Sequence, residues 1–425
     1  PDKSLPPKGQ EPLLDDNLII HGDNLEALKA LLPTHAGKVD CIFIDPPYNT
    51  GNEGWCYNDN VRSPLMKEWL KKSANPVDKE DLERHDKWLC MMWPRLNLIR
   101  ELLSELGLFF VTLDDNEAHL FKVIADEIFG EINFLADIAW EKRFTRSNNA
   151  KTFSSVKDHL LIYRKSDDVS LIRESRNEAS DAIYSNPDND ERGPWTSILY
   201  VNPATKENRP NLVYPIRNPF TGEEVVHPTH AWKYAKETHE QHVAEERLWW
   251  GKNGSLKYPR LKRFVSEIDG VVPVDLWSGS DAGTTDKGSK TLGEIFGSNL
   301  FDNPKPVELI EKVLGLVPTD ATVLDSFSGS GTTAHAVLKA NKKDSGNRRF
   351  ILVECEDYAD TLTAERVRRV INGYPYTGTQ REELHRENIT WSTFAKKQAK
   401  VLQHIASIEH LHSHEYDKIK KQIKD

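Results

Sequence analysis

Val39-Asp40-Cys41-Ile42-Phe43-Ile44-Asp45-Pro46-Pro47-Tyr48-Asn49-Thr50-Gly51 reads as a buried strand that stops at a carboxylate. The apolar run from Cys41 to Ile44 needs cover on both sides of a sheet, which marks a strand inside a parallel sheet covered by helices. Asp45 then falls at the strand's carboxyl end, where open α/β sheets bind their ligands. The two prolines fix φ and remove two N–H donors, so their carbonyls stand as unpaired acceptors beside the Asp45 carboxylate, with the flat face of Tyr48 next to them. A proline-rich turn capped by Asp45 is the plainer alternative.

A rigid pair of acceptors beside an aromatic plate suits a planar base whose exocyclic amine must donate two hydrogen bonds. Such an amine is a weak nucleophile because its lone pair is spread into the ring, and acceptors for both protons favour the localised, attacking form. A base inside a duplex has to flip out to reach such a pocket, where Tyr48 would stack on it.

Outward from this stretch the α/β alternation continues. Leu18-Ile19-Ile20 reads as a strand, Asn24 to Leu32 as a helix, Trp88 to Leu106 as a helix ended by Gly107, and Leu108 to Leu113 as a second buried strand. From about residue 166 to 297 the chain turns rich in Pro, Asn, Trp and charge, with turn signals at Asn186-Pro187-Asp188-Asn189 and Asn218-Pro219-Phe220-Thr221-Gly222. The α/β pattern then returns, with a helix from Pro306 to Leu316, a strand at Thr322-Val323-Leu324, a helix from Thr332 to Ala340 and a strand from Phe350 to Val353. The expected organisation is an N-terminal arm (1–16), a first half of an α/β domain (17–165), an inserted lobe (166–297), the second half (298–375) and a helical extension (376–425). In that extension Val401, Ile405, Ile408, His412, Tyr416, Ile419 and Ile423 recur at helical spacing, as one amphipathic helix would require.

The second site is Val323-Leu324-Asp325-Ser326-Phe327-Ser328-Gly329-Ser330-Gly331-Thr332-Thr333, a strand entering a glycine turn and then a helix, as in nucleoside-binding βαβ units. It is neither G-x-G-x-x-G nor a P-loop, since no Lys follows the last glycine. Glu354, after the next strand, stands where a ribose-binding carboxylate belongs.

The 425 residues carry a net charge of −10, which taken alone argues against a nucleic-acid partner. Local distribution matters more than the sum: Lys142, Arg143, Arg146, Lys151, Lys157, Arg164 and Lys165 cluster in one stretch, and Lys252, Lys257, Arg260, Lys262 and Arg263 are interleaved with aromatics in another, either as solvated faces or as nucleic-acid contacts. The four cysteines are scattered, so neither a disulfide framework nor a metal site is indicated. With no long apolar run and a polar start, a cytoplasmic protein without a membrane span is expected.

Asp45-Pro46-Pro47-Tyr48 together with Phe327-Ser328-Gly329-Ser330-Gly331 resembles the amino-methyltransferase family of DNA-modifying enzymes. The catalytic loop precedes the cofactor motif with a variable lobe between them, which resembles the β-class order. Phe301-Asp302-Asn303-Pro304-Lys305-Pro306 and His21-Gly22-Asp23-Asn24-Leu25 resemble further segments of that class. The resemblance implies a Rossmann-like, S-adenosyl-L-methionine-dependent (AdoMet-dependent) sheet with 166–297 as a target-recognition domain. It implies that Asp45 and the Pro47 carbonyl accept from an adenine N6 amine, with Pro46 in the same loop and Tyr48 stacked on the base. It further implies that Asp325, Phe327, Gly329, Gly331 and Thr332 line the AdoMet pocket, that Glu354 holds its ribose, and that Asp23 and Lys305 lie near its adenine and methionine ends. An Asp at the first loop position resembles the adenine-N6 members, the cytosine-N4 members carrying Ser there. Cytosine N4, an RNA adenine, a protein amide, or a regulator that binds DNA without turnover stay open as alternatives. Arg143, Arg146, Lys257, Arg260, Lys262 and Arg263 are candidates for contacts to double-stranded DNA. Tyr214-Pro215-Ile216-Arg217-Asn218-Pro219 and Trp249-Trp250-Gly251-Lys252-Asn253-Gly254 resemble the modification subunits of type III restriction systems and their solitary relatives. The chain is shorter than such a subunit, from which a solitary or two-gene enzyme is expected; the resemblance to the β class and the last helix imply a homodimer, a DNA substrate implies association with the bacterial nucleoid, and a restriction subunit as partner stays open.

Overall fold

The structure, a computed structural model, describes residues 16–49, 79–146, 151–169, 172–174, 176, 181–268, 270–298, 300–374, 384–385, 391–412 and 419. Residues 1–374 form one compact unit and 375–425 a second.

An eight-stranded sheet organises the first unit. Its strands are β1 (Leu18–His21), β2 (Val39–Ile44), β3 (Leu103–Leu113), β4 (Phe134–Glu141), β5 (Lys157–Arg164), β13 (Leu276–Trp277), β14 (Thr322–Asp325) and β15 (Arg349–Glu354), in the order β1-β15-β14-β2-β3-β5-β4-β13. Every pairing is parallel except those of β5, which runs against β3 and β4. Both faces are buried because β2 alternates. Ile42 and Ile44 join one apolar cluster and Cys41 and Phe43 the other.

Helices α1 (Asn24–His35), α2 (Lys79–Leu102) and α3 (Ala118–Phe129) supply the first cluster with Leu28, Trp88, Leu96 and Phe121. Ala118, Phe121, Ala125 and Phe129 recur along one face of α3, which is why that segment is helical and why that face turns to the sheet.

Between β5 and β13 lies the inserted region. It contains β6 (Trp195–Leu199), β7 (Val201–Thr205), β8 (Ile216–Arg217), β9 (Glu224–Val225), β10 (His230–Trp232), helix α4 (Lys236–Ala244), β11 (Leu248–Trp249) and β12 (Arg260–Phe264). These strands form small antiparallel sheets around Tyr200, Tyr214, Trp232 and Trp250. The turn at Asn218 forms as its composition predicts, the Asn218 carboxamide oxygen accepting from the Phe220 N–H at 2.9 Å. The segment expected to belong wholly to the insertion returns to the main sheet at Leu276 and Trp277, which pair with Ala139 and Trp140.

After β13 come α5 (Gly279–Ala282), α6 (Thr285–Phe296), α7 (Val307–Leu314), α8 (Thr332–Asp344) and α9 (Glu365–Asn372). Leu309, Ile310 and Val313 of α7 and Ala334 and Val337 of α8 fill the second cluster. In the second unit, α10 (Trp391–His412) half-buries Val401, Ile405, Ile408 and His412 and exposes Leu402 and Leu411. Tyr416 and Ile423 lie outside the described residues.

Two local expectations are corrected. The helix predicted to run to Leu106 ends at Leu102, because Leu103 pairs with Val39 and the chain is already extended there. Cys355 is disulfide-bonded, which its isolated spacing did not indicate, while Cys41 and Cys90 are free. Gly107 is required by a close approach: a Cβ there would sit 2.7 Å from Leu103 Cγ and 2.9 Å from the Ser104 carbonyl oxygen. Gly107→Ala is therefore expected to cost ~1–3 kcal/mol by overpacking, read as a lower urea midpoint with an unchanged slope.

Candidate active site

The strand order reverses between β14 and β2, and Val323 pairs with Cys41 and Leu324 with Ile42. The two sequence motifs, at the carboxyl ends of these strands, therefore open into one crevice at the switch point of the sheet.

The Asp-Pro-Pro-Tyr loop is held residue by residue. Asp45 Oδ1 accepts from the Thr112 hydroxyl at 2.7 Å, and Asp45 Oδ2 accepts from Lys305 Nζ at 2.5 Å. The Trp88 indole N–H of α2 donates to the Pro47 carbonyl at 2.7 Å. The Tyr48 hydroxyl donates to Asp158 Oδ2 at 3.2 Å, and Asp158, nearly fully buried, is neutralised by Lys142 at 2.5 Å. Burial, followed by the charges of Asp45 and Asp158, pushes the Tyr48 phenol well above its ordinary range, so it stays a neutral plate. Asn49 takes a left-handed φ of 58°, which Asn tolerates, and its carboxamide donates to the buried Glu117, which lies 2.5 Å from His85 Nδ1.

This geometry corrects one expectation. The Pro47 carbonyl, expected to be an unpaired acceptor for the target amine, is engaged by Trp88. The Pro46 carbonyl has no hydrogen-bond partner among the described residues, so the free backbone acceptor beside Asp45 is Pro46.

In the cofactor turn, Asp325 is buried and accepts from the Phe327 N–H at 3.0 Å and the Thr333 hydroxyl at 2.5 Å, which folds the turn back onto α8. Gly329 and Gly331 take φ of 50° and 76°, and a Cβ on Gly331 would lie 3.1 Å from the Thr363 carbonyl oxygen. Arg366 of α9, fully buried, donates to the Ser330 carbonyl and to the hydroxyls of Ser330 and Thr332, locking the turn from behind. No local pattern announced Arg366, Asp158, Glu117 or Trp88 as site residues, since each acts on a partner distant in sequence.

The turn fits the nucleoside cofactor that the resemblance implies. The Ser326 hydroxyl is buried without a partner among the described residues, and α8 begins at Gly331 without a side-chain cap, leaving an acceptor wanted at its first turn. Phe327 is buried at the turn. Asp23 caps α1, accepting from the Leu25 N–H at 2.8 Å, while its other oxygen stands 3.5 Å from Arg95. Glu354 stands at the end of β15, beside the turn. Its carboxylate turns inward onto the N–H groups of Gly329 at 2.7 Å, Cys355 at 2.9 Å and Glu356 at 3.1 Å, bracing the turn. The Lys305 backbone carbonyl accepts from Thr332, and its side chain crosses to Asp45 and lies 4.9 Å from the Tyr48 ring centroid.

The basic candidates separate into two groups. Lys262 is buried in ion pairs with Asp188 at 2.5 Å and Asp190 at 2.8 Å, and Arg260 donates to the Ser197 hydroxyl and carbonyl. Lys262 is held by the lobe's own carboxylates, because burying a lysine demands paired carboxylates, and is not free for DNA, while Arg260 is half-buried against Ser197. Arg146, Lys257 and Arg263 are exposed and Arg143 is half-buried.

Burial, with lesser contributions from Asp45 and Glu354, pushes the Asp325 carboxyl from 3.8 up to about 7. The folded chain then holds a proton that the unfolded chain has lost, so stability is full below about pH 4 and declines as pH climbs to about 7. Asp325→Asn should abolish that decline: thermal midpoints of wild type minus variant should fall across this window, by the equivalent of a few kcal/mol at most, and level off above it.

A profile of the N6_N4_Mtase family, described as DNA methylase, matches residues 39–365. The chain is 33% identical to the Mod subunit of the type III restriction-modification enzyme StyLTI of Salmonella typhimurium over 79% of this chain and 52% of that one. It is 31% identical to the EcoPI Mod subunit of Escherichia phage P1, over 80% and 58%. It is 32% identical to the type II methyltransferase M.KpnI of Klebsiella pneumoniae, over 78% and 79%. The chain thus spans little more than half the length of the type III relatives. Among solved structures, the cytosine-N4-specific PvuII DNA methyltransferase aligns at a TM-score of 0.41 and 13% identity over 86% of this chain and 96% of that one. With 39–365 matched, the Asp-Pro-Pro-Tyr loop and the glycine turn both fall inside the match, and the chain belongs to the DNA methylase family.

Proposed function

We propose that this chain is a site-specific DNA methyltransferase that methylates the N6 amine of an adenine flipped out of the duplex. The observation that carries the reading is the pair of acceptors, the Asp45 carboxylate and the Pro46 carbonyl, which has no partner among the described residues, beside the neutral plate of Tyr48. Asp45 and Pro46 accept one amine proton each, which concentrates the nitrogen lone pair away from the ring. Tyr48, held at its hydroxyl by Asp158, stacks on the base and fixes its plane. AdoMet, when bound at the glycine turn, supplies an electrophilic methyl group on its sulfonium. The turn's buried Ser326 hydroxyl and open helix start offer it polar contacts. The transfer is direct, without a covalent intermediate on the enzyme.

The inserted lobe serves as the target-recognition domain, with its exposed Lys257 and Arg263 on phosphates or base edges, and Arg143 and Arg146, between β4 and β5 of the main sheet, are further candidates for DNA contacts. The relatives named Mod subunits support association with a restriction subunit, and the apolar residues recurring at helical spacing along α10 support a homodimer. Among the described residues no helix is long and apolar enough to cross a membrane. A cytoplasmic, nucleoid-associated enzyme follows from a chromosomal substrate.

Three outcomes test this reading. Labelled methyl from AdoMet should enter unmethylated genomic DNA as N6-methyladenine at one short motif, and Asp45→Ala should abolish it; methyl in cytosine, or none in DNA, would overturn the adenine assignment. Lys257→Gln and Arg263→Gln should each lower the slope of log affinity against log salt by about 1, whereas Lys262→Met should destabilise the lobe instead. Light scattering at micromolar concentration should give about twice 48.6 kDa, a single-chain mass counting against the dimer.

A further inference from the structure

Lys305 stands where an amine is wanted. Its Nζ donates to Asp45 Oδ2 at 2.5 Å, while Oδ1 is occupied by Thr112 at 2.7 Å. The same Nζ lies 4.9 Å from the centroid of the Tyr48 ring, a cation over an aromatic face. One nitrogen therefore makes the carboxylate contact and the ring contact assigned above to the target base. The side chain is 11% exposed and that of Asp45 26%. The backbone of Lys305 is fixed. Its carbonyl accepts from Thr332, and Gly288 packs so closely that a Cβ there would fall 2.2 Å from the Pro304 carbonyl oxygen and 3.0 Å from the Lys305 carbonyl carbon. Movement is left to the four-carbon stem, whose rotations swing the ammonium without disturbing the chain.

Resting on the adenine reading, we propose that Lys305 is an internal stand-in for the target amine: its ammonium fills the Asp45 acceptor and covers Tyr48 until the base displaces it. Two consequences follow from competition for one acceptor. The free pocket is never an unpaired carboxylate, which would otherwise attract solvent cations. Binding of the base is weakened by the fraction of time the lysine occupies the site, since apparent affinity scales with the population of the competent state. The net gain from the adenine amine is correspondingly small in wild type, because its hydrogen bonds replace existing ones. Without the lysine the amine meets an empty acceptor, and a site built to receive N–H groups discriminates strongly against a base that lacks them.

The test compares two duplexes carrying the methylated motif, one with adenine and one with purine, which lacks the amine, at the target position. Dissociation constants are measured without cofactor. In wild type the two should bind within a few-fold of each other. In Lys305→Met, whose side chain is similar in length but uncharged, the preference for adenine should rise at least tenfold, and Lys305→Arg, which restores the ion pair, should return it toward wild type. A purely structural lysine would weaken both duplexes equally and leave their ratio unchanged, and that result would overturn the proposal. Methylation of the adenine duplex by wild type is the control: its absence overturns the adenine reading itself, whereas normal methylation with an unmoved ratio removes only the stand-in.

Discussion

Two register pairs at the centre of the sheet, Val323 with Cys41 and Leu324 with Ile42, bring together stretches of chain that the inserted lobe separates. Because β2 and β14 are parallel, both end on the same side, and the loops that follow them must share a crevice. The buried strands on either side, each apolar on both faces, hold that register, since a slip of one residue would turn every side chain to the wrong cluster. The site's electrostatics follow from the same constraint. Asp45, Asp325 and Glu354 converge at adjacent strand ends, and desolvation with mutual repulsion raises the Asp325 carboxyl.

Around that crevice the chain fixes its acceptors by using nearly every polar group of the Asp-Pro-Pro-Tyr loop. Thr112 takes Asp45, Trp88 takes the Pro47 carbonyl, Asp158 takes the Tyr48 hydroxyl and Glu117 takes Asn49. The Pro46 carbonyl remains. These bonds fix the positions of the loop's acceptors in the folded chain. The cofactor turn is built in the same manner, with Asp325, Glu354 and Arg366 all facing inward onto backbone and hydroxyl groups.

The inserted lobe obeys a different balance. Its aromatic core of Tyr200, Tyr214, Trp232 and Trp250 carries few aliphatic residues, and its sheets are short. Charge is therefore used internally: Lys262 joins Asp188 and Asp190, and Arg247 joins Glu245 and Glu267. Basic residues counted along the chain overstate the free positive surface, because some of that charge is paired with the lobe's own carboxylates.

The chain's local chemistry determined the strands around Asp45 and Asp325, the glycine turn with its positive φ at Gly329 and Gly331, and the Asp-Pro-Pro-Tyr loop at a strand end. Those features depend on backbone geometry and near-neighbour periodicity, which are written in consecutive residues. Tertiary structure alone decided that Trp88 engages Pro47, that Lys305 reaches Asp45, that Glu354 turns inward, and that Lys262 is buried while Lys257 is exposed. Each is a contact between side chains or carbonyls far apart in the chain, chosen by which polar groups burial leaves in need of a partner, and no local pattern encodes that choice.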